Sequence, residues 1–418
     1  MKLGESFNDA AAKYGRPLEG VRVLALEQMQ ALPFATLILA RLGADVVKVE
    51  DPERGDASRA SQPKVVDRGF DMGHTFMRYN LNKRSLAVDI RNPKGRDLLL
   101  DMMPRFDVVC ENLGPGRAEK YGLGYAACDA RNKRIVYLSV SGFGQTGTSP
   151  YKKWPAYAAV AEAMSGIYDH IRAPNQPPLV NPTTGMGDTV TGLFGMIGVL
   201  AALHHRDRMG EGQYIDMSMY DSMVSLNEVM LNFWSLGLRK DENEELRNPV
   251  LLTSFRCKDG WMTVFVPREH QFARFANIIG HPELLNDPRL ASRQGWYDHT
   301  ETVIRPIVEQ WSRTVGKLEA ATLLAEAGVA AAPCNNTEDL LRDPHVDSHH
   351  MVVELPRPDG DGPPILVAGN PIKMSKAQEG PDAWFPGIGE HTDVILREFL
   401  GLDDAAIQKL REAKVVRT

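Results

Sequence analysis

The sequence predicts an α/β protein built on a parallel sheet with helices on both faces, and two features carry that prediction. Through the first half, apolar runs of strand length alternate with amphipathic runs of helix length, the pattern of β-α-β units. The chain is also long enough: 418 residues, 43% hydrophobic and 24% charged, suffice for two or more domains with substantial cores.

The elements follow in order. VRVLALE (Val21–Glu27) reads as a buried strand, ATLILARLG (Ala35–Gly43) as a helix ended by its glycine, and DVVKVE (Asp45–Glu50) as the next strand. SLAVDI (Ser85–Ile90), a helix from about Lys94 to Met103, DVVCEN (Asp107–Asn112) and RIVYLSVS (Arg134–Ser141) continue the alternation. The apolar run Val190–Leu203 spans 14 residues, short of the ~20 a membrane helix needs, so a buried core helix is expected there. A strand QYIDMSM (Gln213–Met219) and one long helix towards Leu238 come next, and the charged segment Arg239–Pro249 marks a domain boundary. Leu251–Pro267 predicts a hairpin turned at Asp259-Gly260, helices reach about Ala327, and Leu355–Pro371 predicts a loop with a short strand.

Composition excludes several functions. A net charge of −6 argues against a nucleic-acid surface. Cys110, Cys128, Cys257 and Cys334 are far apart with no CxxC pair, as in a reducing compartment rather than a disulfide scaffold or zinc site. The N-terminus, MKLGESFNDAAAKYGRP, is polar and carries acids, unlike a signal peptide, so a cytoplasmic protein with no membrane partner is expected.

Three motifs invite misreading. GFGQTG (Gly142–Gly147) matches the letters of a dinucleotide fingerprint, but Pro150 and Pro155 follow where a helix would have to open. Its glycines suit a loop whose backbone N–H groups approach a ligand. His345, His349 and His350 lack the Glu of an H-E-x-x-H site and read as solvated surface, so no metal is expected. Met217, Met219, Met223 and Met230 read as core filling, with a plastic acyl pocket as the alternative.

Asp188 is the residue that calls for explanation, a carboxylate between a glycine-rich turn and the long apolar run. The ordinary reading is a helix N-cap. Six segments together support another. GVRVLALEQMQALPFATLILARLGADVVKVE, NLNKRSLAVDI, DVVCENLGPGRAEKYGLGY, YLSVSGFGQTG, GMGDTVTGLFGMIGVLAALHHRDRMGEGQYIDMSM and GEHTDVIL occur in this order over nearly the whole chain. Together they resemble the class III CoA-transferases, which include formyl-CoA and carnitine CoA-transferases.

The resemblance implies an intertwined homodimer. Residues 1–225 and 331–418 would form a Rossmann-like large domain around a small one, 226–330 with its linkers. It implies no tightly bound cofactor, acyl-CoA and carboxylic acids as substrates, and Asp188 as the nucleophile. A carboxylate of pKa ~4 is ionised at pH 7 and attacks a thioester without a general base. Gln30, in MQALP, would help stabilise the oxyanion, with backbone N–H groups of Gly142–Gly144 as second contributors. Arg54, Arg59, Lys83, Arg84, Arg117 and Lys120 are the candidate CoA phosphate ligands, with Asn112 lining the channel and Tyr121 and Tyr157 beside it. Succinyl-CoA is a plausible donor, and the Met-rich segment leans towards a bulky apolar or aryl acceptor.

Two positions depart from the family pattern: Ala158 replaces an acid, and Glu162 stands where glutamine is usual. These leave open a non-catalytic subunit of a heteromer. A racemase of the α-methylacyl-CoA type is the other alternative, but Tyr157-Ala158 occupies the place of its His-Asp pair.

Overall fold

The computed structural model describes residues 1–181, 185–238, 249–360 and 362–417. The chain divides into two compact units, Met1–Leu238 with Asp347–Thr418 and Arg239–Val346. The charged boundary segment read from the sequence lies, as far as residue 248, outside the described residues.

The larger unit is built on six strands: β1 (Arg22–Leu26), β2 (Asp45–Glu50), β3 (Lys83–Ala87), β4 (Val108–Glu111), β5 (Val136–Ser141) and β6 (Gln213–Ser218). Their order across the sheet is β3-β2-β1-β4-β5-β6, and every neighbouring pair is parallel. The chain thus winds one way from β1 and then, from β4, the other way. That reversal opens a crevice beyond the carboxyl ends of β1 and β4.

Alternation along the strands feeds two cores. Val23 and Ala25 of β1 face the side covered by α1 (Ala31–Arg41) and by the long helix Met186–Met209. Leu24 and Leu26 face the opposite side, where helices Pro93–Met102, Tyr125–Arg131 and Thr392–Leu400 pack. There Phe106 stacks on Phe399 with ring centroids 4.9 Å apart, tying the chain's last segment to the first half.

Two helix expectations need correction. Met186–Met209, 24 residues long, is longer than its apolar run, and only one side of it is buried. Met196 and Val199 pack on the sheet, whereas Leu193, Phe194 and Ile197 are 39%, 36% and 54% exposed. By length and composition alone this helix could cross a membrane. The helix expected to run to Leu238 is two, Met219–Leu226 and Glu228–Ser235. They break at Asn227, whose side chain reaches the Ser165 carbonyl at 2.9 Å. The short late strand, Ile365–Ala368, does form and pairs antiparallel with Val352–Leu355.

The smaller unit has an antiparallel sheet of Leu251–Cys257, Gly260–Val266 and Ala330–Pro333 with helices against it, among them Glu269–Ile278 and Lys317–Glu326. The hairpin turn falls on Lys258 and Asp259, one residue before the position expected.

The long helix approaches α1 closely because Gly192 has no side chain. A Cβ there would stand 2.6 Å from the Ala31 carbonyl oxygen and 2.9 Å from Phe34 Cδ1. Gly192→Val is expected to destabilise the protein by about 1–3 kcal/mol through overpacking; a urea unfolding curve with an unchanged midpoint would contradict this contact.

Candidate active site

At the carboxyl ends of β1, β4 and β5 lies a cleft of about 440 Å3 whose lining includes Gln30, Asn112, Arg117, Gly142, Tyr157 and Asp188. A second cleft, of about 370 Å3, shares Gln28, Leu113 and Arg117 with it and extends past Arg54, Arg91 and Tyr121. Together they follow the sheet's switch point, where parallel α/β sheets bind ligands.

Asp188 is not an N-cap. The long helix, labelled α3 below, is capped by Gly185 in the left-handed region (φ 91°), and Asp188 is its third residue. Among the described residues nothing donates a hydrogen bond to its carboxylate. Burial, and after it the charge of Glu162, push its pKa up to about 6, so it stays mostly ionised at pH 7. Gly185 serves a second purpose: a Cβ there would run into the amide nitrogen of Gln30. That Nε2 is buried and meets no acceptor among the described residues. A buried amide donor left unpaired costs about 1–3 kcal/mol, so its persistence marks a place for a ligand oxygen.

The loop carrying Gln30 is held from both sides of the crevice. Asn112, at the end of β4, accepts from Gln28 N at 3.0 Å and donates to Gln28 O at 2.9 Å. Asp56 accepts from Met29 N at 3.1 Å, and Met29 itself sits at φ 63°. Asp56 belongs to a fully buried ion network: Lys48 Nζ lies 2.7 Å from Asp56 and 3.4 Å from Glu27, and Lys83 Nζ lies 2.7 Å from Glu27. Arg59 pairs bidentately with Glu50 at 2.8 Å through both nitrogens. Burial opposes each charge, yet Lys83 and Lys48 hold Glu27 below the usual carboxylate range, while Lys83 is pushed down to about 8.

This network corrects part of the sequence reading. Lys83 and Arg59 are buried and spend their charges inside it. Arg84 is bound to Asp45 and Glu398. None of the three is available to a phosphate, because each guanidinium or ammonium already has its carboxylate. Lys120 ends the helical turn Arg117–Lys120 and lines neither cleft. Gly144 lines neither either: Asp216 accepts from Gln145 N at 2.9 Å and Thr146 N at 2.6 Å, so a carboxylate of the chain itself already fills this glycine loop. No helix opens after GFGQTG until α2 (Ala158–Met164).

Sequence reasoning missed Lys153 and Trp154, which share the cleft with Asp188, and the anchoring role of Glu162, which accepts from Gly187 N at 2.9 Å. The Glu162 signal was in plain view as a departure from pattern. Lys48, a lone cation inside an apolar strand, equally announced a buried partner.

Residues 18–392 match the profile of CoA-transferase family III. The chain belongs to that family. It is similar to the succinyl-CoA–L-malate CoA-transferase beta subunit of Chloroflexus aurantiacus, 33% identical over 408 residues, 96% of this chain and 98% of the relative. It is also similar to the succinyl-CoA:mesaconate CoA-transferase of Haloarcula hispanica, 34% identical over 392 residues, 91% and 96% of the two chains. Among solved structures, a CaiB/BaiF family protein from Brucella suis superposes with a TM-score of 0.80 at 30% identity, over 92% of this chain and 99% of that one. The protein is a CoA-transferase, and its substrates are CoA thioesters.

The raised pKa of Asp188 has a consequence for stability. Its folded value, about 6, exceeds its ordinary 3.8, so the ionised group costs stability above pH 6, a cost that fades as the pH falls towards 4. Asp188→Asn is therefore expected to unfold at higher urea than the parent at pH 8, with the gap closing by pH 4; a gap independent of pH would refute the assignment.

Proposed function

We propose that this transferase moves CoA from succinyl-CoA to a carboxylic acid through covalent intermediates on Asp188. The observation that carries the reading is a half-buried carboxylate, Asp188, on the same cleft as the amide donor of Gln30, both without a hydrogen-bond partner among the described residues. A carboxylate oxygen of Asp188 attacks the thioester carbonyl, the C–S bond breaks, and CoA thiolate leaves an acyl-aspartyl anhydride. The thiolate then attacks the aspartyl carbonyl, the anhydride C–O bond breaks, and succinate departs from an aspartyl-CoA thioester. The acceptor's carboxylate runs the two steps in reverse and leaves as its CoA ester.

Each attack creates an oxyanion, for which Gln30 Nε2 is the available donor. The succinyl donor is supported by the names of both relatives above. Arg54 and Arg117, exposed and unpaired among the described residues, suit the CoA phosphates. On the acyl side, Trp154, Tyr157, Met29 and Met219 offer an apolar wall that favours an acceptor with an apolar body. The exposed face of α3 supports assembly as a dimer; the beta-subunit relative favours, as a second reading, a heteromer with a related chain. A racemase would need a second free acid or base beside Asp188, whereas Glu162 is buried and already bonded.

Incubation with succinyl-CoA is expected to leave a CoA adduct on the peptide containing Asp188, seen by peptide mass and missing in Asp188→Ala. An unmodified peptide under turnover would sink the proposal. Gln30→Ala is expected to lower kcat by ~10²–10³ while the protein still binds acyl-CoA; a kcat within threefold of the parent would remove Gln30 from the mechanism.

A further inference from the structure

Glu162, on α2, is 1% exposed. One of its carboxylate oxygens accepts from Gly187 N at 2.9 Å and the other from the Tyr168 hydroxyl at 2.5 Å. Among the described residues no cation is bonded to it. Gly187 is the second residue of α3 and immediately precedes Asp188. Its N–H is one of the four that a helix start leaves unpaired, and such amides ordinarily stabilise a nearby carboxylate. Here Glu162 takes that amide and Asp188 receives none. Two carboxylates thus share one helix start, one satisfied by the protein and one not.

We infer that Glu162 is a positioning residue whose buried charge destabilises the free Asp188 carboxylate relative to its acylated forms. It occupies the Gly187 amide in the first turn of α3, so that amide is closed to Asp188. It also repels the Asp188 charge, a repulsion that disappears when Asp188 becomes part of a neutral anhydride or thioester. The charge leaves with CoA thiolate in the first step and with succinate in the second, so the relief costs no external reagent. The inference rests on the reading of Asp188 as the covalent carrier.

The other groups facing Asp188 do not supply this effect. Tyr79, from the helix His74–Tyr79, interacts with the Asp188 charge but is neutral at working pH, its pKa raised by burial, and it holds Arg78 on its hydroxyl. Arg117 and Lys153, across the cleft, are exposed to solvent, and their charges act in the opposite direction. Tyr168, pushed up to about 12 by burial and by its bond to Glu162, is a donor and carries no charge.

Glu162→Gln removes the charge, keeps the amide oxygen as acceptor for Gly187 N, and turns the other oxygen into an N–H donor whose bond the Tyr168 hydroxyl can accept. In that variant the acidic limb of kcat/KM for succinyl-CoA is expected to move down by roughly half a unit to one unit. The fraction of Asp188 carrying CoA, at a fixed ratio of succinyl-CoA to succinate, is expected to fall about 3–10-fold. A purely structural Glu162 predicts a limb and an adduct fraction equal to the parent's, and that result overturns the inference. Tyr168→Phe leaves the Glu162 charge in place and is expected to hold the limb at or above the parent's; a limb below it would also overturn the inference. Asp188→Asn run in parallel separates the two levels. If it still transfers CoA, the covalent reading fails; if it is dead while Glu162→Gln behaves as the parent, only the role of Glu162 fails.

Discussion

The carboxyl edge of the sheet depends on a buried, charge-balanced network in which Glu27, Glu50 and Asp56 meet Lys48, Lys83 and Arg59. Burying six ionised groups is expensive, and an apolar cluster of the same volume would often be as stable or more so. What the network supplies is geometry. It fixes the ends of β1, β2 and β3, and through Asp56 it holds the amide of Met29 in a left-handed turn. Asn112 completes the arrangement from the other side of the switch point. The backbone next to Gln30 is thereby set from both sides of the switch point.

The second half of the site is set by a helix start. Gly185 supplies the left-handed cap, Gly187 presents its N–H to Glu162, and Asp188 follows without a hydrogen-bond donor of its own. Helix starts usually calm a carboxylate, and this one does not. The same sequence feature, glycines before a lone acid, therefore leaves the capping to Gly185 and the acid on the cleft.

The fold was largely legible in the sequence because β1, β2, β4 and β5 are short runs rich in apolar residues, and such runs between helices have few other destinations. Asp188 was legible because it breaks such a pattern, and Gln30, Asn112, Arg117, Gly142 and Tyr157 do meet it on one cleft. The roles of the basic residues were not legible. Arg59 and Arg54 lie five positions apart in one loop, yet one is an internal counterion and the other faces the cleft. A charge in a sequence does not name its partner: Glu27 lies 56 residues from Lys83, and Glu398 lies 314 from Arg84. The break at Asn227 was hidden for a similar reason, since the Ser165 carbonyl that receives its amide is 62 residues away.

Gly192 brings α3 against the Ala31 carbonyl of α1, and Gly185, about two turns earlier, leaves room for the Gln30 side-chain amide. At these two glycines α3 itself contributes no side chain to act as a compliant spacer. Asp188, in the first turn of α3, and Gln30, at the cap of α1, are accordingly coupled through this close helix contact: a thermal excursion that displaces one helix is passed to the other.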